Sequence, residues 1–235
     1  MAALPEFVCP TLASADRALV DGQDMRRRAY LGMSAIGSAC SRALWYQFRW
    51  AWSVRFDATT LKRFEDGHRS EDLAVARLKQ LPGLTVHETD AAGGQWGFKD
   101  FGGHFSGHMD GVCLGLVQAP KTWHVLEIKA SEKWQDLDKT RRKVGEKSAL
   151  AEWNPVYYAQ AVLYMDYAGI DRHWLVCVSP GGRRWTAVAL AAMMVIINGR
   201  RRRSAYRAGN VILAMARWRN LWRTPVPRRR RRSPG

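Results

Sequence analysis

After Asp171 the sequence contains no aspartate, no glutamate and no lysine; its charge there comes from sixteen arginines alone. All 21 acids and the other 21 Lys and Arg lie in residues 1–171, so that part is formally neutral and the net charge of +16 belongs to the end. A basic excess of this size ordinarily points to a polyanionic partner, but here it describes a tail and not the body. Three readings of the tail stay open. It is an arm adding salt-dependent phosphate contacts, a solvated extension, or a stretch read in a shifted frame after about Val178 of a GC-rich gene. We adopt the third, which translation of the other two frames would test. Long apolar runs are also missing: no window approaches the roughly 18 residues a membrane span needs. The longest, Ala187 to Ile197, is read as a core element. The N-terminus lacks the basic-then-apolar pattern of a signal peptide, so a cytoplasmic location and no membrane partner are expected. No C-x-x-C pair occurs, and Cys9, Cys40, Cys113 and Cys177 are expected as free, mostly buried thiols. There is no internal repeat.

What is present is a globular composition, 47% apolar and 11% aromatic over 235 residues, enough for one well-buried domain. The expected division is an N-terminal segment at 1–31, a core domain at 32–198 and the Arg-rich tail at 199–235. Ser34 is expected to cap a short helix carrying Cys40, Leu44 and Trp45. Leu61, Phe64, Leu73, Val75 and Leu78 suit a long amphipathic helix from Thr60 to Leu81, ended by Pro82-Gly83. Four strands follow, at Leu84–Thr89, Gln95–Phe101, Phe105–Val117 and Thr122–Lys129. Ser131 starts a polar helix, and Asn154-Pro155 opens another running to about Tyr167. A buried strand at His173–Val178 can pair with Trp185–Leu190. The pattern is α/β.

Polar residues interrupt these apolar elements in four places. Gly107-His-Met-Asp110-Gly111 lies in mid-strand. In Leu126-Glu127-Ile128-Lys129, period-2 alternation puts Glu127 and Lys129 on one face. Antiparallel pairing of these two strands would bring Asp110 beside Glu127. Two carboxylates held close on rigid strands suit Mg²⁺ or Mn²⁺, an ion able to polarise a phosphodiester and lower the pKa of a bound water. Lys129 would neutralise phosphate charge or orient that water. Gly67-His-Arg-Ser-Glu71 on the long helix offers Glu71 to the ion, directly or through a water. Gln160 and Tyr164, four apart on a helix, share a face and could brace the substrate or the lysine.

Asp110, followed seventeen residues later by Glu127-Ile-Lys129, resembles the D…(D/E)xK pattern of the PD-(D/E)xK nucleases. Gly67-x-x-x-Glu71 and Gln160-x-x-x-Tyr164 resemble the flanking motifs of the RecB-like and lambda-exonuclease-like branch. The likeness spans roughly residues 32–178, and four motifs in order are far more specific than a lone ExK. The resemblance implies a restriction-endonuclease-like core, a mixed central sheet flanked by helices. It implies Mg²⁺- or Mn²⁺-dependent hydrolysis of DNA, with an exonuclease role in phage or recombination processing. It implies Asp110, Glu127 and the Ile128 main-chain carbonyl as metal ligands, with Glu71 and Lys129 catalytic and Gln160 and Tyr164 supporting. A homo-oligomer and a recombination partner protein are further partners it suggests. Some relatives hold an iron–sulfur cluster; Cys40-Ser-Arg42 matches the first part of that motif, but no cysteine follows Cys177, so one chain cannot complete it.

The bland readings are few. His68, His104 and His108 are expected to make structural hydrogen bonds and not to bind metal. Trp45, Trp50 and Trp52 are expected to pack in the core or between helices instead of stacking on bases. Ser41 and Ser131 lack His and Asp partners for serine hydrolase chemistry. The alternatives to a nuclease are a protein that keeps the fold and binds DNA without cutting it, and a basic protein that binds only through its tail.

Overall fold

The computed structural model describes residues 9–26, 28–51, 54–191, 193–197 and 200–204. Arg27, Trp52 and the Arg-rich end from 205 onward lie outside these. A five-stranded sheet organises the molecule. Its strands are β2 (Thr85–His87), β5 (Gly111–Leu114), β6 (His124–Ala130), β7 (Arg172–Val178) and β8 (Trp185–Ala191), adjacent in that order. β6 and β7 are parallel and the other pairs antiparallel. A parallel pair needs a crossover. Here it consists of α4 (Trp134–Val144), α5 (Glu146–Trp153) and α6 (Pro155–Ala168). The long helix α3 (Ala58–Leu78) packs on the other face. The fold is therefore α/β, a mixed sheet between helical layers.

Strand β6 shows why the layers form. Leu126 and Ile128 point to one face and pack with Ala74, Val75 and Leu78 of α3. Val125 and Glu127 point to the other, toward α6, where Leu163 and Tyr164 are buried with Leu175 of β7. Burying the three aliphatic side chains of β6, Val125, Leu126 and Ile128, contributes on the order of 5–9 kcal/mol. The helices start where capping chemistry places them. Asp57 accepts from the Thr60 amide at 2.7 Å. Asn154 accepts from Val156 and Tyr157, with Pro155 at the first helical position and Gly169 left-handed (φ 70°) at the end. Ser70, buried in mid-helix, accepts from the Gly181 amide at 3.0 Å and so ties α3 to the β7–β8 turn.

Three local expectations are corrected. Ser34 does not cap the short helix expected to carry Cys40, Leu44 and Trp45: it sits in a 3-10 turn, Met33–Ala35. The helix beyond, α2 (Ser41–Phe48), is capped by the Cys40 sulfur accepting from Ala43. The single strand expected over Phe105–Val117 is two. β4 (Phe105–His108) joins β1 (Leu31–Gly32) and β3 (Gly97–Asp100) in a small second sheet, while β5 joins the large one. The chain changes sheets at Met109-Asp110. Glycines flank the step because there is no room there. A β-carbon on Gly107 would come within 2.7 Å of Met33, and one on Gly111 within 2.5 Å of the His87 carbonyl. Finally, only half of the cysteines are buried. Burial pushes the Cys113 and Cys177 thiols up to about 12, making them inert, whereas Cys9 is half-buried and Cys40 exposed.

The apolar run Ala187–Ile197 becomes the end of β8, with Val188 and Leu190 buried, and a strand β9 (Met193–Ile197). β9 pairs antiparallel with β10 (Arg200–Ser204). α1 (Pro10–Asp21) lies against α3. Among the described residues no helix is long and apolar enough to cross a membrane.

Candidate active site

The register of β5 on β6 pairs Gly111 with Leu126, which sets Asp110 opposite Glu127. β5 begins at Gly111, so the strand edge beyond Leu126 lacks its backbone partner. The Asp110 carboxylate takes that place, accepting from the Ile128 amide at 2.7 Å. In an antiparallel pair the N–H and C=O of one residue face the same neighbour. The Ile128 carbonyl therefore shares the edge on which Asp110 sits.

Glu127 is 2% exposed. Its Oε1 accepts from Lys129 Nζ and from Gln160 Nε2, the latter at 2.8 Å. Among the described residues its Oε2 has no hydrogen-bond partner. Burial holds this carboxyl up at about 7, offset in part by Lys129 and reinforced by Asp110. Burial disfavours the Lys129 ammonium as well, but Glu127, Asp110 and Glu71 together outweigh it and raise its pKa. Lys129 is therefore held in its charged form.

Glu71 reaches the end of β6 from α3, where it interacts with Lys129 and takes a hydrogen bond from the Ala130 amide; burial raises its pKa. Tyr164 donates to the His108 carbonyl at 2.6 Å, clamping the step between the two sheets. The structure thus brings Glu71, Asp110, Glu127, Lys129 and Gln160 into one cluster, with Tyr164 holding the strand that leads to Asp110. His68 and His108 are exposed; the His68 ring favours the charged form of Glu71, and His108 enters only through its main-chain carbonyl, which accepts from Tyr164. The His104 ring nitrogen lies 3.4 Å from the Ala29 carbonyl.

One member of the site escaped the sequence reading. Lys129 Nζ lies 5.8 Å from the centre of the Tyr157 ring, a cation over a π-face. Tyr157 precedes Gln160 by three and Tyr164 by seven, so all three share a face of α6. That spacing was the available signal, but an aromatic there looks like ordinary core.

The donors are hard oxygens, and the orphaned buried oxygen of Glu127 is a position that a cation would satisfy. The set therefore fits a divalent ion. Among the described residues no three His, Cys, Asp or Glu side chains already form a compact ligand group; the carboxylates are drawn around Lys129 instead.

The glycine step gives a first test. Gly111→Ala has no space against the His87 and Glu88 backbone, so β5 must move and carry Asp110 with it. We expect a loss of about 2–3 kcal/mol in urea unfolding, as for other overpacked sites, and a loss of activity larger than that destabilisation explains.

No family model matches the chain, and no curated protein does. Among solved structures it is similar to an alkaline exonuclease from Laribacter hongkongensis, at 17% identity, 83% of this chain, 90% of that one and a TM-score of 0.49. The same enzyme in complex with dAMP matches at 18% identity with the same coverage and TM-score. A phage-related exonuclease from Haemophilus somnus matches at 12% identity, 80% of this chain, 90% of that one and a TM-score of 0.49.

Proposed function

We propose that this chain is a Mg²⁺- or Mn²⁺-dependent deoxyribonuclease, working on DNA ends as an exonuclease of phage or recombination type. The observation that carries this reading is the half-satisfied carboxylate of Glu127. It is buried, held on one oxygen by Lys129 and Gln160, and open on the other beside Asp110. Such an arrangement is unfavourable in a merely structural strand and suited to a site that receives a cation and a phosphodiester.

Asp110, Glu127 Oε2 and the Ile128 carbonyl would hold the ion, with Glu71 reaching it through a water. When bound, a divalent ion supplies a polarised phosphodiester and a water of lowered pKa. The chain's own groups supply the rest. Lys129, fixed between Glu127 and the Tyr157 ring, presents its remaining N–H donors to the non-bridging phosphate oxygens, where negative charge builds up in the transition state. Glu71, whose pKa burial raises, interacts with Lys129 and would serve as the group that exchanges a proton with a water at the ion. Gln160 holds Glu127 in one rotamer, and Tyr164 holds the backbone from which Asp110 projects. These contacts fix the geometry before substrate arrives, so little reorganisation is left for the reaction.

The test is digestion of end-labelled linear DNA and closed-circular DNA with Mg²⁺, Mn²⁺ or EDTA, comparing wild type with Asp110→Asn. The expected result is metal-dependent loss of linear DNA only, absent from the variant. Cutting of the circle would make the enzyme an endonuclease. No cleavage by a folded wild type with either ion would overturn the reading.

A further inference from the structure

Residues 25–56 differ in kind from the chain around them. They contain six arginines and seven aromatics, and no Asp, Glu or Lys. Arg26 is paired with Asp24 and Arg55 with Asp21. Among the described residues Arg28, Arg42 and Arg49 have no ion-pair partner, and the Arg49 guanidinium lies 5.9 Å from the centre of the Trp45 ring. Arg42, Tyr46 and Arg49 are spaced to share one face of α2.

The end of that helix is unusual. Trp50 adopts φ 52°, the left-handed conformation that closes a helix and favours glycine. The bonds from the Trp50 amide to Gln47 and from the Ala51 amide to Tyr46 define the reversal. A β-carbon is disfavoured there, and packing does not compensate, since Trp50 is 44% exposed and Tyr46 41%. The packing role expected for Trp50 is therefore not what the structure gives it. Its ring is nevertheless fixed, because the indole N–H donates to the Arg28 carbonyl at 2.7 Å. A strained backbone thus presents an immobilised π-face to solvent, one helical turn from a second exposed ring and beside unpaired guanidinium groups.

We propose that the C-terminal end of α2 is a binding platform for single-stranded nucleic acid, with Trp50 and Tyr46 stacking on bases and Arg42 and Arg49 holding phosphates. Flat rings that accept any base, interleaved with cations, are the chemistry that binds unpaired strands. A duplex hides its base faces, and a segment with arginines and no acid of its own suits a polyanion. The platform lies outside the Asp110–Glu127–Lys129 cluster and stands whether or not that cluster cuts. Its position is useful all the same. Gly37 abuts Val156 and Ala159 so closely that a β-carbon would come within 2.5 Å of the Val156 Cα. That contact sets the segment entering α2 beside the first turn of α6, which carries Tyr157.

The experiment must separate stacking from charge, since an end carrying this many arginines would attract any phosphate chain. Affinities of the full chain for an oligothymidylate and for an abasic strand of equal length are measured by anisotropy in EDTA, where no cleavage occurs. Salt of about 0.3 M suppresses purely ionic binding. Wild type should prefer the thymidylate by about tenfold or more. Trp50→Gly and Trp50→Asn, whose backbones suit the left-handed position, should lose most of that preference while melting at or near the wild-type temperature. Trp50→Phe should keep it within about threefold, because a ring remains. Arg42→Ala with Arg49→Ala should weaken both strands alike and flatten the salt slope by about 1.4. A wild type blind to the bases, or folded Gly and Asn variants with the preference intact, would overturn the proposal. Either result would leave the surface to a protein partner or to packing. A failed nuclease reading would appear instead in the metal-dependent digestion, which this binding assay does not use.

Discussion

Lys129→Met should lower the cleavage rate by about 10²- to 10³-fold, the loss typical of removing one preorganised donor from a developing oxyanion. The side chain is chosen because it keeps most of the stem and removes only the charge. In the wild type, Lys129 is the cation around which Glu127, Asp110 and Glu71 gather. Without it, Glu127 keeps its burial and its carboxylate neighbours but loses the one group that opposes them, so its pKa must rise further above about 7. For stability, the sign follows from linkage. A carboxyl raised in the folded state costs stability as the pH climbs through its folded pKa, and costs nothing below its unfolded one. The variant should therefore unfold in nearly as much urea as the wild type at pH 5 and in clearly less at pH 8.5. Lys129→Arg should not restore activity, because a planar guanidinium cannot occupy the point between Glu127 and the Tyr157 ring as an ammonium does. Full cleavage by either variant would remove Lys129 from the chemistry.

The second large effect concerns His173, which has no part in the site. It lies on β7, wholly buried, and among the described residues neither ring nitrogen has a hydrogen-bond partner. Burial depresses its pKa from 6.5 to about 3, and Lys129 and His124 press the same way. The folded protein thus holds a neutral imidazole that the unfolded chain protonates. Stability from this group is complete above the unfolded pKa of about 6.5 and is lost as the pH falls toward the folded value. At about 1.4 kcal/mol per unit, the loss is about 3 kcal/mol by pH 4.5. For a domain with about 5–15 kcal/mol in total, that is a large share. His173→Val removes the titrating group and the unsatisfied nitrogens, and its branched side chain suits a strand. We expect urea midpoints of wild type and variant to differ little at pH 8 and to diverge at pH 4.5, with the variant the more stable. Parallel acid curves for the two proteins would show that the imidazole is solvated or paired.

Much of the site was legible because strands are arithmetic. Alternation placed Glu127 and Lys129 on one face, and antiparallel pairing with the segment before Val112 put Asp110 opposite Glu127. Helical spacing put Gln160 and Tyr164 on one side of α6. The failures are equally physical. The run Phe105–Val117 has the composition of one strand, and the step at Asp110 follows from crowding by Met33 and the His87 backbone, contacts that depend on distant elements. Tyr157 passed for core because its partner, an ammonium 28 residues earlier, is adjacent only after the crossover closes. Trp50 looked like packing because the end of α2 could not be placed, and the handedness of its backbone depends on that end. At the arginine-rich end, residues Trp185–Ala191 alternate as a sheet edge requires and pair with β7 along its whole length.

The β6–β7 crossover has a consequence for how the chain is made. Glu127 and Lys129 leave the ribosome some thirty residues before Tyr157 and Gln160, the groups that hold them. β6 also gains its parallel neighbour only when residues 172–178 exist. A chain interrupted anywhere between Ala130 and Pro155 thus carries the whole acidic and lysine motif in solvent, with no helix to bury it and no fixed geometry. Synthesis itself delays the site until residues 172–178 have been made, and products terminated before them should lack it however faithfully they carry the motif.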